Sequence, residues 1–195
     1  LGASFGYTLP KDKFRQPYIA RQVRVTVPVH LAPLSWTTFQ LLEGKAPHHD
    51  GLFQNGVIDT PFVTLSIDDG LTLYDKTTNE AYEDFLRFED RGDIGNEYIY
   101  FQPKGTEPIY AELTAYEVLE NNARYAKILL KHDLTIPVSA DEQLDAEQRG
   151  IIEFMNRKAS RSEELTTIPL ETEMTIFVDD PQIRFKTRFT NTAKD

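Results

Sequence analysis

Residues 84–103 read DFLRFEDRGDIGNEYIYFQP. Apolar residues from Phe85 to Phe88 lead into an acidic, glycine-punctuated segment, Glu89-Asp90-Arg91-Gly92-Asp93-Ile94-Gly95-Asn96-Glu97. A tyrosine-rich run, Tyr98-Ile99-Tyr100-Phe101, follows it. The pattern predicts a strand over 85–89, an irregular loop in which Gly92 and Gly95 are free to take positive φ, and a second strand over 98–102. Binding residues concentrate on loops carried by rigid sheets, and tyrosines beside carboxylates suit polyhydroxylated ligands. This loop is the candidate site.

Strand signals continue on both sides of it. Val63, Leu65 and Ile67 alternate, Asp69-Gly70 offers a type I′ turn, and Leu71, Leu73 and Tyr74 return. Further strands are predicted over 109–120 and 124–136, with Asn121-Asn122 as their turn. Two more, over 168–178 and 183–190, join through Asp179-Asp180-Pro181. Strands of about ten residues are long for a small domain and favour a large sandwich. One segment breaks the pattern. Ser139-Ala140-Asp141-Glu142 matches a capping box, and Leu144, Ile151, Ile152 and Met155 follow at near-helical spacing, so a short helical excursion is expected near 140–158.

Towards the N-terminus, residues 2–17 read as a tail. Val23, Val25, Val27 and Val29 alternate with Arg24, Thr26 and Pro28 as a half-buried strand, with 36–42 as its partner. Residues 44–55, GKAPHHDGLFQN, have linker composition. The chain is therefore expected to be all-β in three parts. The end of a small β-sandwich domain with its tail spans 1–44, a linker spans 45–56, and a large β-sandwich spans 57–195. That sandwich is expected to be incomplete at its C-terminus, because the sheet would end on the polar turn Asn191-Thr192-Ala193-Lys194-Asp195.

Composition narrows the function classes. Zero cysteines among 195 residues exclude disulfides and thiolate metal sites, and fit a reducing cytoplasm. A formal charge of -10 without a Lys/Arg patch argues against nucleic acid. No apolar run approaches the roughly 20 residues of a membrane helix, and the opening Leu1-Gly2-Ala3-Ser4 shows no signal-peptide pattern.

His48-His49-Asp50 is the one His/Asp cluster, and solvated linker is its plainer reading. Glu89, Asp90, Asp93 and Glu97 could include a glycosidase acid/base pair, or could simply bond the loop's own N–H groups. Tyr74, Tyr82, Tyr98, Tyr100, Phe101 and Tyr110 suit sugar stacking. Cross-strand packing is preferred for all but Tyr98, which directly follows the loop. No phosphate loop, no Gly-x-Ser-x-Gly elbow and no cysteine nucleophile is present.

Four stretches together resemble the β-region of glycoside hydrolase family 38, the zinc-dependent α-mannosidases, in its bacterial form. Arg15-Gln16-Pro17, the valine strand and Pro33-Leu34-Ser35-Trp36-Thr37-Thr38-Phe39 are similar to the first family pattern. Gly70-Leu71-Thr72-Leu73-Tyr74-Asp75-Lys76 through Tyr82 resembles its Asp-Lys hairpin, with the leucine register offset by one. Glu89 through Tyr98 resembles Glu-Asp-x-Gly-Asp-x-Gly-Asp-x-Tyr, with Asn96 where Asp is commoner. Phe189 through Asp195 is similar to a segment that runs on into His-Arg and another strand.

The resemblance implies a mutarotase-like sandwich (a supersandwich) from an enzyme split across domains. Zinc and the aspartate nucleophile sit in the family's N-terminal α/β domain, and neither motif is present here. No catalytic residue, metal ligand or cofactor is therefore expected in this chain, with zinc implied for the longer enzyme. The implied reaction is retaining hydrolysis of a terminal α-mannoside. Tyr98 takes the position of the tyrosine that reaches the sugar, while Asp90, Asp93 and Asn96 shape the loop. Expected partners are an α-mannoside or other carbohydrate and the N-terminal catalytic domain of the same longer chain. An unpaired sheet edge would favour a homo-oligomer. The rival readings are a stand-alone carbohydrate-binding module and a mutarotase-like epimerase, which the scattered histidines fit poorly.

Overall fold

A computed structural model describes residues 2–8, 16–22, 25, 27, 29–40, 42, 44–45, 49–68 and 70–194. The chain divides into two compact units, Leu1–Ala46 and Pro47–Asp195.

In the first unit β1 (Gly2–Thr8) pairs antiparallel with β2 (Gln16–Gln22), running from Gly2 opposite Gln22 to Thr8 opposite Gln16. Residues 2–8 of the segment read as a tail are thus a strand, and its last two residues begin the partner strand. The valine strand and its 36–42 partner are not seen as strands where they are described. Val25, Val27 and Val29 belong to no strand and are about half exposed, as is Phe39. Val23, Arg24, Thr26 and Pro28 lie outside the described residues, as do Arg15, Leu41, His48, Asp69 and Asp195.

The second unit is a β-sandwich. Its first sheet runs β3 (Phe53–Gln54), β4 (Val57–Asp59), β5 (Val63–Ser66), β6 (Thr72–Asp75) and β7 (Glu80–Tyr82), each strand antiparallel to its neighbour. Phe53 and Gln54, read as linker, form the first of these strands. Asn55 (φ 49) and Gly56 (φ 77) turn the chain at once, as the type I′ hairpin requires. A short ribbon pairs β8 (Glu89–Asp90) with β9 (Ile109–Tyr110).

The second sheet runs β10 (Glu112–Asn121), β11 (Tyr125–Pro137), β12 (Leu165–Phe177) and β13 (Ile183–Phe189). The turn between β10 and β11 is held by Asn122 Oδ1, which accepts from Arg124 N (2.9 Å) and Tyr125 N (3.1 Å). Asn121 behaves as an extra rung. Its amide accepts from Phe53 N (2.9 Å) and donates to Phe53 O (2.8 Å), tying the edge of one sheet to the other.

Strict alternation along β11 and β12 puts Ala126, Ile128, Leu130, Leu134 and Ile136 on one buried face, together with Ile168, Leu170, Met174 and Ile176. Half of this face packs against Ile58, Val63, Leu65, Leu71 and Leu73 of the first sheet. The other half, around Leu134, Ile136, Ile168 and Leu170, is covered by Phe88, Ile109, Ala111 and Ala193. The all-β expectation holds.

Two predicted strands dissolve. Residues 83–86 are a turn with Asp84 (φ 51) and Leu86 (φ 61) in the left-handed region, and 98–102 belong to no strand. The helical excursion is α1 (Glu142–Arg149) followed by a 3-10 turn, Phe154–Asn156. Its N-cap is Asp141, whose carboxylate accepts from Gln143 N, and not Ser139, whose hydroxyl donates to Ala140 O. Leu144 is buried, but the helix ends at Gly150. Ile151, Ile152 and Met155 are exposed, so they continue no helical face. Among the described residues no helix is long and apolar enough to cross a membrane.

Two outcomes test this packing. Leu65 is fully buried between the sheets, so Leu65→Ala should lower unfolding stability by about 2–5 kcal/mol in a urea titration. His132 interrupts the apolar face of β11, packs edge-on to Phe88 (5.2 Å) and leaves its Nδ1 buried with no hydrogen-bond partner among the described residues. Desolvation lowers its pKa from 6.5, so the fold holds it neutral. A depressed imidazole pKa leaves stability full above about pH 6.5 and erodes it as pH falls through the folded value. His132→Phe should therefore flatten the loss of stability between pH 7 and pH 5, measured by urea titration at each pH.

Candidate functional site

The loop 91–108 connects β8 to β9 without a sheet of its own, so side chains must satisfy its backbone. It first folds back on itself. Ile94 N donates to Phe101 O (2.8 Å), Asn96 N to Ile99 O (3.0 Å) and Ile99 N to Asn96 O (3.2 Å). Asp93 Oδ1 accepts from Gly95 N (2.8 Å) and Phe101 N (2.9 Å). Asn96 Oδ1 accepts from Tyr98 N and Ile99 N, both at 2.9 Å. The two residues act as internal caps, the usual work of Asp and Asn in irregular loops.

The glycines have different reasons. Gly92 takes positive φ (69°) and lies under Arg161, whose Nε a Cβ would meet at 3.1 Å. Gly95 does not take positive φ. It is needed for space, because a Cβ there would collide with the Ile99 carbonyl.

Ile94 plugs the loop into a small core with Leu144 and Ala159, against Phe101 and Ala140. Phe101 packs edge-on to Phe154 (5.6 Å). Arg157 Nη1 donates to the carbonyls of Ile94 and Gly95, and Arg161 pairs with Asp90. The helical excursion is thus the bed on which the loop lies.

The predicted site residues separate into two groups. Glu89, Asp90 and Asp93 line one wall of a cleft of about 400 Å³, together with Tyr100, over a floor that includes Leu134 and Leu170. Asn96 and Tyr98 are not on its walls; they sit at the exposed tip. Tyr98 is 87% exposed and its hydroxyl has no partner among the described residues. Glu89 is taken by Arg91, whose Nε (3.0 Å) and Nη2 (3.3 Å) both donate to it, and that carboxylate raises the guanidinium's pKa.

The other tyrosines do not pack on one another across strands as expected. Tyr110 lies under the Arg87 guanidinium (3.4 Å), Tyr74 bonds Asn79, and Tyr82 bonds Glu80. Among the described residues no three His, Asp or Glu side chains gather where a metal could be held, so the residues here do not fit a zinc site. His49 and Asp50 are exposed.

Residues 1–43 match the family description Glycosyl hydrolases family 38 C-terminal domain 1. An α-mannosidase from Enterococcus faecalis has a solved structure similar to this one over 100% of the chain, with a TM-score of 0.75 and 36% identity. The chain belongs to glycoside hydrolase family 38. A second family 38 protein from Enterococcus faecalis aligns over 100% of the chain with a TM-score of 0.76 and 30% identity. A Halalkalibacterium halodurans protein whose name proposes mannosylglycerate hydrolysis is 32% identical over the whole chain. The chain spans 23% of that protein and 23% and 24% of the two solved structures, so it corresponds to one segment of its family 38 relatives.

Sequence reasoning missed Arg157 and Arg161. They sit in a polar run, residues 156–164, whose composition reads as solvated surface, and only the fold reveals that Arg157 is buried against the loop and Arg161 mostly so. Asp93 has a role that can be measured. Asp93→Ala should lower the opening free energy of the Gly95 and Phe101 amides by about 2 kcal/mol in native-state hydrogen exchange. Asp93→Asn, which keeps an oxygen at the accepting position, should lose clearly less.

Proposed function

We propose that this chain is a non-catalytic β-region of a family 38 α-mannosidase, and that its 91–100 loop presents Tyr98 to the sugar. One observation carries the reading: Asp93 and Asn96 are spent on holding the loop's backbone, while Tyr98 stands exposed at the tip, its hydroxyl without a partner among the described residues. A phenol in that position can donate a hydrogen bond to a sugar hydroxyl and cover a sugar face at little conformational cost. The family resemblance of the Glu89 to Tyr98 segment assigns that position to the substrate-reaching tyrosine, and the similarity to the Enterococcus faecalis α-mannosidase supports the substrate class.

In this reading Asp93 and Asn96 fix the path of the chain into Tyr98, and Asp90 anchors the start of the loop through Arg161. The nucleophile and zinc belong to a part of the longer enzyme outside these residues, and hydrolysis takes place there. What this chain adds is orientation. A hydrogen bond that tightens as the sugar ring distorts lowers the barrier, whereas one equally good in the ground state only lowers KM.

Tyr98→Phe removes the hydroxyl and keeps the ring. In the complete enzyme it should lower kcat/KM for an aryl α-mannoside by roughly tenfold, the value of one hydrogen bond of about 1.4 kcal/mol. Unchanged kcat/KM would remove Tyr98 from the site. The 195-residue chain alone should hydrolyse no mannoside. Mannose affinity in that isolated chain would favour the binding-module reading instead.

A further inference from the structure

We infer that Arg157 is a positioning residue for the Tyr98 loop, a clamp through which the helical excursion sets where Tyr98 stands. The inference rests on the proposed role of Tyr98 for its functional half, while the clamp itself stands on geometry. Arg157 is only 8% exposed; no carboxylate forms a direct ion pair with it among the described residues, and its charge acts on the Glu147 carboxylate only at longer range. Its guanidinium spends its donors on carbonyls from two segments. Nη1 donates to Ile94 O and to Gly95 O (2.6 Å) in the loop, and Nε to Ile152 O (3.3 Å) in the excursion.

Burying a cation whose direct partners are neutral carbonyls is costly even with Glu147 nearby, and an apolar side chain of similar volume would fill the space more cheaply. An apolar side chain could not orient three carbonyls. The guanidinium therefore acts by fixing conformation, and the conformation it fixes is the turn immediately before Asn96 and Tyr98.

The clamp is itself held on both sides. Glu147 of α1 accepts from Lys158 N (2.8 Å) and Ala159 N (3.2 Å), and Asp141 accepts from Ser160 N (3.0 Å), so the backbone after Arg157 is pinned to the helix. Before it, Phe154 packs on Phe101. At the far end Gly95 leaves no slack, since even a methyl group there would strike the Ile99 carbonyl. A displacement at Arg157 must therefore pass into residues 95–99 and carry Tyr98 with it.

The test compares R157M, which keeps the length of the side chain's stem without its donors, with R157K, which keeps the charge and can still reach one carbonyl. Native-state hydrogen exchange of the 195-residue chain reads the loop directly. In R157M the Ile94, Ile99 and Phe101 amides should exchange roughly tenfold faster or more, with β11 and β12 protection unchanged, and R157K should recover part of the difference. Unchanged loop exchange in R157M overturns the clamp. If R157M also loses protection in β11 and β12, R157K decides: loop-confined acceleration keeps the proposal, and wild-type loop exchange rejects it.

In the complete enzyme, R157M should lower kcat more than it raises KM, and R157M combined with Y98F should be no slower than Y98F alone. Additive losses would show that Arg157 does not act through Tyr98. A silent Y98F alongside faster loop exchange in R157M would keep the clamp and discard the proposed role of Tyr98.

Discussion

Every other part of the larger unit depends on the antiparallel ladder between Tyr125–Pro137 and Leu165–Phe177. Its rungs run without a bulge from Tyr125 opposite Phe177 to Pro137 opposite Leu165. Because successive side chains alternate, a slip of β12 by one residue against β11 would turn Met174 and Ile176 out to water and bring Glu171 and Glu173 in. The register is therefore fixed by burial, and the two apolar clusters lie along one face of a single surface. The polar rungs on the other face, such as Thr135 against Thr167 (2.9 Å), fit the register but do not choose it.

The ladder also fixes where the helical excursion goes. That excursion is the connection between its two long strands, leaving after Pro137 and returning at Leu165. Its base is closed by Val138 N to Glu164 O (2.9 Å) and Ser162 N to Ser139 O (3.0 Å). A rigid base places Arg157 and Arg161 reproducibly, although neither is on a strand. Position thus passes from ladder to excursion to loop, through side chain to backbone bonds where no sheet is available. Such bonds are few and directional, so single residues carry the geometry that a ladder would spread over many.

What could be read in the sequence follows from this. Long strands with one wet face announce themselves by their period of two, and the 63–67 run and both ladder strands do so. Phe53–Gln54 and Glu89–Asp90 are two residues each, too short to display any period, and the first was hidden in linker-like composition. The valine run and residues 98–102 have strand composition but no strand in the described residues, because composition specifies a face and not a partner. Asp141 displaced Ser139 as the helix cap because Asp141 also binds Ser160, a residue 19 positions later that no local pattern reveals. The candidate loop could be found from its acids, glycines and tyrosines. Its anchors could not, since buried arginines look like surface arginines until the fold is known.

The loop's motif then becomes intelligible position by position. Gly92 makes room for Arg161, Asp93 binds two amides, Gly95 admits the Ile99 carbonyl, and residue 96 binds two more. Residue 96 needs only an acceptor oxygen at Oδ1, which Asp and Asn supply equally, so Asn96 in place of the commoner Asp leaves the turn intact. All four have a task internal to the fold, and an isolated β-domain would need them for shape alone. Tyr98 has none: its backbone N–H is used, but its side chain packs against nothing that would explain a tyrosine there. A large amphipathic side chain held outward by such a scaffold suits a contact with another molecule, and in the role proposed for Tyr98 that asymmetry separates the residue that meets the sugar from those that place it.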